Sequence, residues 1–211
     1  MKHTEMINRI IQAREYSSYL EIGLGTVKNF DAVTVDKKTG VDPNVPSRAD
    51  IFSMTSDTFF QEIMSVNHST YDFIFIDGLH HSNQVLRDVR SSLLFLSEGG
   101  TIMVHDCNPP NKESQLVPRQ TRVWTGDVWK AWVILRRNPD LETICISEDY
   151  GCGIIQRGDV KPLHTYKALT YENLIENRQQ WLNLMSWSTY ENHYLQRQPR
   201  PFDRDWEIPH P

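Results

Sequence analysis

The chain has 211 residues, 39% hydrophobic and 23% charged, with a formal net charge of −5. That is one medium domain with side chains enough for a core, and the acidic balance speaks against wrapping a nucleic-acid backbone. Cys107, Cys145 and Cys152 form neither an even disulfide framework nor a CxxC pair, no apolar run reaches the roughly 20 residues of a membrane helix, and the start MKHTEMINRI lacks a signal peptide's apolar stretch, so a cytoplasmic chain is expected.

Met6, Ile7, Ile10 and Ile11 recur at helical spacing and predict a helix over 4–14, capped by Thr4. A short apolar strand over 19–22 is broken by Gly23 and Gly25. A brief helix over 27–32 leads to a strand ending in Gly40-Val41-Asp42. Loop residues 44–50, a third strand over 51–54 and a helix over 57–64 follow. Residues 71–77, YDFIFID, are apolar at nearly every position. Such a strand is covered on both faces, as in the centre of a parallel sheet. Val85, Leu86, Val89, Leu93 and Leu94 predict a helix over 83–96, ended by Gly99-Gly100. A buried strand over 101–104 runs into His105-Asp106.

Residues 107–126 are rich in Pro, Asn, Lys and Ser. A loop this long inside a compact domain reads as a lid or a binding segment. Asp127 caps a helix over 128–137. Strands over 143–146 and 153–156 form a hairpin at the sheet edge. A helix over 169–185 carries Arg178 as a polar intruder on its apolar side, and 199–211 is a Pro-rich polar arm.

Strand and helix thus alternate, and two strands close the series. The fold class is α/β, a doubly wound, mostly parallel sheet with helices on both faces. Ligands of such sheets sit at the carboxyl ends of the strands. Those ends carry Glu21/Gly23/Gly25, Asp42, Ser56/Asp57, Asp77/His80 and His105/Asp106. Five polar or glycine clusters on one edge mark an active-site rim. The turn Glu21-Ile-Gly-Leu-Gly25 lets backbone approach a ligand closely. It is not a dinucleotide fingerprint, because Lys28 stands where the third glycine belongs. The Glu21 carboxylate beside it suits a cationic or amine-bearing ligand. Asp42 is placed to accept the ribose hydroxyls of an adenosine group. Asp36 is its rival if residues 33–35 are the second strand. Ser56 and Asp57 meet the adenine edge.

The stretches YLEIGLG (19–25), GVDP (40–43), YDFIFIDG (71–78) and LSEGGTIMVHD (96–106) occur in an order that resembles the class I S-adenosylmethionine-dependent methyltransferases. The likeness spans roughly residues 16–157, and Val27 departs from it where a third glycine often sits. It implies a Rossmann-like, seven-stranded sheet with an antiparallel last strand. Residues 1–160 would form the cofactor-binding part and 161–211 a helical extension and arm of the same domain. Glu21, Gly23 and Gly25 would approach the methionine part of S-adenosylmethionine, and Asp42 the ribose, with Ser56, Asp57 and Asp77 completing the cofactor site.

A closer resemblance, to small-molecule and sugar O-methyltransferases, rests on Asp77-Gly78-Leu79-His80 and His105-Asp106. Some relatives bind a divalent metal through these positions. That implies Asp77, His105 and Asp106 as ligands of magnesium or manganese. A histidine in the set also leaves iron, zinc or no metal open. The implied reaction is methyl transfer to a hydroxyl of a small molecule, a sugar or glycosylated metabolite, with His105, Asp106 and His80 as catalytic residues. An alcohol is a poor nucleophile at neutral pH, so a base or a metal must take or loosen its proton, and an imidazole titrates in that range. The 107–126 lid, with Trp124 and Trp129 behind it, would exclude water. The alternatives are an N-methyltransferase of a small amine, an NAD-dependent oxidoreductase and a non-catalytic nucleotide-binding protein. The expected partner is a small-molecule acceptor, with neither nucleic acid nor membrane. Little chain precedes the first strand to roof the acceptor pocket, so the roof is expected from the 107–126 loop, from the segment after 160 or from the partner of a homodimer.

Overall fold

A computed structural model describes residues 1–67, 69–158 and 161–197. Helix α1 (His3–Arg14) leads into β1 (Ser18–Ile22), α2 (Lys28–Ala32), β2 (Lys37–Val41) and β3 (Ile51–Phe52). A continuous helical stretch follows as α3 (Ser56–Thr58), a π-helical segment (Phe59–Met64) and α4 (Ser65–Asn67). Next come β4 (Tyr71–Ile76), α5 (Ser82–Leu94), β5 (Leu96–Val104), α6 (Val128–Leu135), β6 (Leu141–Ile146) and β7 (Cys152–Arg157). The last elements are α7 (Tyr171–Leu182), β8 (Leu184–Met185) and α8 (Trp187–His193).

The strands form one sheet in the order β3-β2-β1-β4-β5-β7-β6-β8. β1 to β5 pair in parallel, and β7 runs antiparallel to both β5 and β6. The expected doubly wound sheet with an antiparallel seventh strand is therefore present. The short β8 adds an eighth, parallel to β6.

β4 explains its own sequence. Its side chains alternate between two cores, Phe73 and Phe75 into one, Ile74 and Ile76 into the other. Positions 73–76 must then all be apolar, while Asp72 at the entry accepts from the backbone N–H groups of Ser17 and Ser18. The first core takes Met6, Ile7, Ile10 and Ile11 of α1, with Trp187 and Tyr190 of α8. The second takes Val85, Val89 and Leu93 of α5, with Trp129 and Trp132 of α6 and Trp181 of α7. Trp132 is fully buried, and its Nε1 donates to the carbonyl of Leu182 at 3.0 Å.

Several local expectations are corrected by tertiary pairing. Thr4 lies inside α1, where its hydroxyl donates to Asn29 Oδ1, and Lys2 holds the N-cap position without a side-chain bond to the helix. Gly99 and Gly100 do not end a helix. They lie within β5, where its register against β4 shifts between Tyr71 and Phe73. Asp127 does not cap α6. Its carboxylate instead accepts from Ser82 N at 2.7 Å and Ser82 Oγ at 3.1 Å, at the start of α5. The hairpin of β6 and β7 lies inside the sheet because β8 covers its outer side. The helix expected over 169–185 stops at Asn183, whose φ of 51° is left-handed and whose Nδ2 donates to Thr143 O at 2.8 Å. The 199–211 arm lies outside the described residues. Among the described residues no helix is long and apolar enough to cross a membrane.

Gly153 of β7 lies against the Trp132 ring, and a Cβ there would fall 2.4 Å from Cζ3. Neither backbone nor indole has room to yield. Gly153→Ala is expected to lower the free energy of unfolding by about 1–3 kcal/mol, read by chemical denaturation.

Candidate functional site

The expected rim residues meet at the carboxyl edge of the sheet, around the turn after β1. Gly23 sits there at φ 88°, and its N–H donates to Val41 O at 2.8 Å. A Cβ on Gly23 would lie 2.3 Å from the carbonyl oxygen of Asp77. The ends of β1 and β4 press together, and only glycine fits between them. A Cβ on Gly25 would meet nothing within 4 Å. The turn is thus closed towards the sheet and open towards two clefts.

One cleft, of about 390 Å³, is lined by Gly25, Asp42, Ser56, Asp57 and Asp77 among others. Asp42 Oδ2 accepts from Leu24 N at 2.9 Å and Gly25 N at 3.1 Å, and its Oδ1 accepts from Asn44 N at 2.7 Å. These bonds fix the turn and aim the carboxylate at the cleft. The rival Asp36 is exposed and precedes β2, at the opposite edge. Asp88 of α5 was not singled out by sequence. It is 2% exposed, and its Oδ1 accepts from Ser56 Oγ at 2.6 Å and Gln84 Nε2 at 2.9 Å. Burial raises its pKa despite these donors. Its only sequence signal was a carboxylate on the apolar side of a helix, between Val85 and Val89.

The second cleft, of about 500 Å³, is lined by His3, Glu21, Gly25, Asn29, Asp77 and His80 among others. Glu21 is 1% exposed. Its Oε2 accepts from Tyr19 Oη at 2.6 Å and Asn29 Nδ2 at 3.0 Å. Burial dominates over these donors and pushes the carboxyl up to about 7.

Beside the clefts lies a cluster of imidazoles and carboxylates. The His80 ring spans two acids, with Nε2 3.3 Å from Asp77 Oδ1 and Nδ1 3.1 Å from Asp106 Oδ2. Nδ1 also lies 3.1 Å from the carbonyl of Trp124, which can only accept, so Nδ1 is placed to donate there while Nε2 faces Asp77. Asp77, His80 and Asp106 bring one donor atom each within 4.8 Å of one another, the spacing of a metal site. His105 Nδ1 is 3.1 Å from Asp77 Oδ1 and 3.6 Å from Asp106 Oδ1, while its Nε2 faces Asp149 Oδ2 at 3.7 Å. Asp77 thus meets both rings, with His80 bridging Asp77 and Asp106, and His105 bridging Asp77 and Asp149, 9% exposed.

The charges are strongly coupled. Burial favours the neutral imidazole, but the facing carboxylates outweigh it and raise the pKa of His80 and of His105. Burial would also raise Asp77, yet the two imidazoles hold it well below the usual carboxylate range. Asp106 is pushed up to about 6, by burial first and by the neighbouring Asp77 charge, against the pull of the imidazoles.

Two further members escaped the sequence reading. His3 Nδ1 lies 2.6 Å from Asp149 Oδ2, and the His3 ring meets His105 edge-on at 4.6 Å. Lys2 Nζ holds Asp149 Oδ1 at 2.6 Å. Partners 146 residues apart leave no local pattern to read. The one clue was the turn Asp149-Tyr150-Gly151, where Asp149 and Tyr150 both take positive φ.

The 107–126 segment closes one side. Trp124 stacks on His80 at 5.1 Å between ring centroids, and its Nε1 donates to Leu116 O at 2.7 Å. Trp129 is core, its Nε1 donating to Gln115 Oε1 at 3.2 Å. Arg178, the polar intruder of α7, donates to Pro109 O at 2.8 Å and ties the loop down.

Residues 15–107 match the family model described as a methyltransferase domain. Among curated proteins none matches. Solved structures with a similar fold include a Staphylococcus aureus protein described as a caffeoyl-CoA O-methyltransferase, with a TM-score of 0.55 and 17% identity, covering 74% of this chain and 82% of that one. The SAH-bound Podospora anserina methyltransferase PaMTH1 has a TM-score of 0.54 and 14% identity, covering 74% and 78%. An O-methyltransferase from Bacillus cereus in complex with SAH has a TM-score of 0.52 and 15% identity, covering 72% and 78%.

The pKa of Glu21 has a consequence for stability. The folded carboxyl keeps its proton up to about 7, whereas an unfolded glutamate releases it near 4.5. The folded state binds more protons across that window, so stability falls as pH rises through it. Glu21→Gln is expected to be more stable than the parent at pH 8 by about 1–3 kcal/mol, with the gap closing towards pH 4.5, as read by thermal melts at both pH values.

The strand-end carboxylates, the glycine turn and the matched segment agree: residues 15–107 match a methyltransferase-domain model, and the chain has the fold of the class I S-adenosylmethionine-dependent methyltransferases.

Proposed function

We propose that the protein moves a methyl group from S-adenosylmethionine to a hydroxyl of a small molecule, a sugar or glycosylated metabolite. The observation that carries this reading is the joining of two features at one sheet edge. A glycine turn opens onto clefts rimmed by Glu21, Asp42, Ser56, Asp57 and Asp77. Directly beside it stands the Asp77–His80–Asp106 cluster.

The residues suit the cofactor. Gly25 leaves room for its body, Asp42 offers a fixed carboxylate to the ribose, and Glu21 faces the cationic part. The pair Asp88 and Ser56, with Asp57, supplies polar atoms for the purine. A ligand amine beside Glu21 favours its ionised form, so binding near pH 7 releases a proton.

Asp77 and Asp106, with His80, also suit a divalent cation, since two carboxylates and one imidazole converge within 4.8 Å. A cation bound there would lower the pKa of a hydroxyl at the site. Without one, His80 serves as the base. Trp124 O and Asp106 hold its Nδ1 proton, and Nε2, in the neutral ring, takes the proton of the acceptor, with Asp77 beside it to stabilise the imidazolium that results. His105 braces Asp77 from behind. Stacking of Trp124 on His80 fixes the ring and keeps water from that face. A neutral amine attacks through its lone pair without losing a proton first, whereas a hydroxyl gains most from a base, so this cluster favours a hydroxyl. The clefts, a few hundred cubic ångströms each, are of the size that takes small molecules. The three cysteines are free and buried, which suits a reducing compartment such as the cytoplasm. A second copy completing the acceptor pocket is part of this reading.

Calorimetry should show S-adenosylhomocysteine binding where NAD does not; equal binding of NAD would overturn the proposal. Asp42→Asn is expected to weaken S-adenosylhomocysteine about tenfold, the cost of one ribose hydrogen bond to a charged group. Asp106→Asn is expected to lower kcat at least a hundredfold in a screen of hydroxylated acceptors, with S-adenosylhomocysteine affinity within twofold of the parent.

A further inference from the structure

We propose that His3, His105 and Asp149 form a binding site for a first-row transition-metal cation, distinct from the Asp77–His80–Asp106 cluster. It spans the first turn of α1, the end of β5 and the turn between β6 and β7. The proposal does not rest on the methyl-transfer reading.

The donor set comes first. Two imidazoles and one carboxylate suit zinc, cobalt or iron, whereas magnesium and calcium prefer oxygen alone. The three donor atoms lie within 4.8 Å of one another. His3 Nδ1 is 2.6 Å and His105 Nε2 is 3.7 Å from Asp149 Oδ2. A cation about 2.0–2.2 Å from each ligand spaces its donors roughly 3–3.5 Å apart, which lies between these two separations. Small ring movements close the set.

The independent observation is His105 Nε2. It is buried and has no hydrogen-bond partner, on a residue only 9% exposed, and it points at Asp149. An orphaned buried nitrogen is costly. The opposite nitrogen, Nδ1, rests on Asp77 Oδ1 at 3.1 Å. A metal-bound histidine characteristically donates its other N–H to a carboxylate, which fixes the ring and the tautomer. A cation displaces the proton of Nε2, and the lone pair so freed faces His3 and Asp149 while Nδ1 keeps its proton on Asp77. The two nitrogens of His105 thus serve different neighbours. Asp77 orients the ring, and Nε2 is the ligand.

Asp149 is held for this purpose from outside. Lys2 Nζ takes Oδ1 at 2.6 Å, and the His3 backbone N–H donates to Oδ2 at 2.8 Å. The Lys2 side chain is 75% exposed and free to stay on the outer oxygen. His3 also lines the cleft beside the glycine turn. A cation here would fasten the amino end of α1 across the carboxyl edge of the sheet and stiffen that wall.

The test uses the full-length protein, stripped by a chelator and titrated with Co²⁺ and Zn²⁺. The parent should show a visible Co²⁺ absorption band that Zn²⁺ displaces. His3→Gln and Asp149→Asn should each lose the band and one equivalent of zinc, counted by equilibrium dialysis and elemental analysis. Asp106→Asn should keep both the band and that equivalent. His3→Gln should melt in chelator within 2 °C of the parent, which separates ligand loss from misfolding. Unchanged zinc content and cobalt spectrum in His3→Gln, or no zinc bound by the parent, would overturn the site. Failure of S-adenosylhomocysteine to bind would sink the methyltransferase reading and leave this one standing.

Discussion

The close approach of β1 and β4 at their carboxyl ends governs the rest of the structure. Gly23 N bonds Val41 O, Asp77 N bonds Ile22 O at 2.8 Å, and His105 N bonds Ile76 O at 3.0 Å. Each strand end is stitched to its neighbour one residue beyond the ladder. The side chains that leave the sheet there are consequently fixed with respect to one another. Any residue larger than glycine at position 23 would wedge β1 from β4 and separate the turn from the acidic cluster. Ligand cleft and reactive groups share one scaffold because this contact is made by backbone alone.

Charge is the second constraint. Asp77, Asp106 and Asp149 crowd against His3, His80 and His105 in a region largely shut off from water. Burial penalises every one of these charges, and only pairing offsets it. Either protons or a cation can supply the positive half of the pairs. That choice makes such a cluster chemically useful, since a group that holds a proton by pairing releases it when the partner changes. The elevated Asp106 and depressed Asp77 show the two acids driven apart by their surroundings, the condition under which neighbouring carboxyls take different roles.

Distant parts of the chain complete the wall. Residues 107–126 have no regular structure of their own, yet Thr125 N on Ser114 O at 2.9 Å closes the segment on itself, and Arg178 of α7 and the ring of Trp124 on His80 anchor it. Within residues 161–197, α7 packs on α6 and β8 extends the sheet. Three tryptophans from three regions take part, Trp124 on the His80 ring and Trp129 stacked on Trp181 in the core.

The sequence by itself determined the alternation of strands and helices, the central place of β4 and the set of residues on the functional edge. Period and apolarity are local properties, and a strand buried on both faces writes its environment into every position. It also determined which strand ends carry acids, because parallel strands all release their next residue at the same edge. Tertiary structure alone decided the remainder. Asp127 serves α5 rather than α6, and Gly99-Gly100 belong to a strand, because a neighbouring element offered a better partner than the local pattern implied. His3 and Asp149 entered the site through contacts across 146 residues, for which no spacing rule exists. The division of His105 between Asp77 and Asp149 was likewise invisible, since the direction of each ring nitrogen is set by the packing around it and not by the order of residues along the chain.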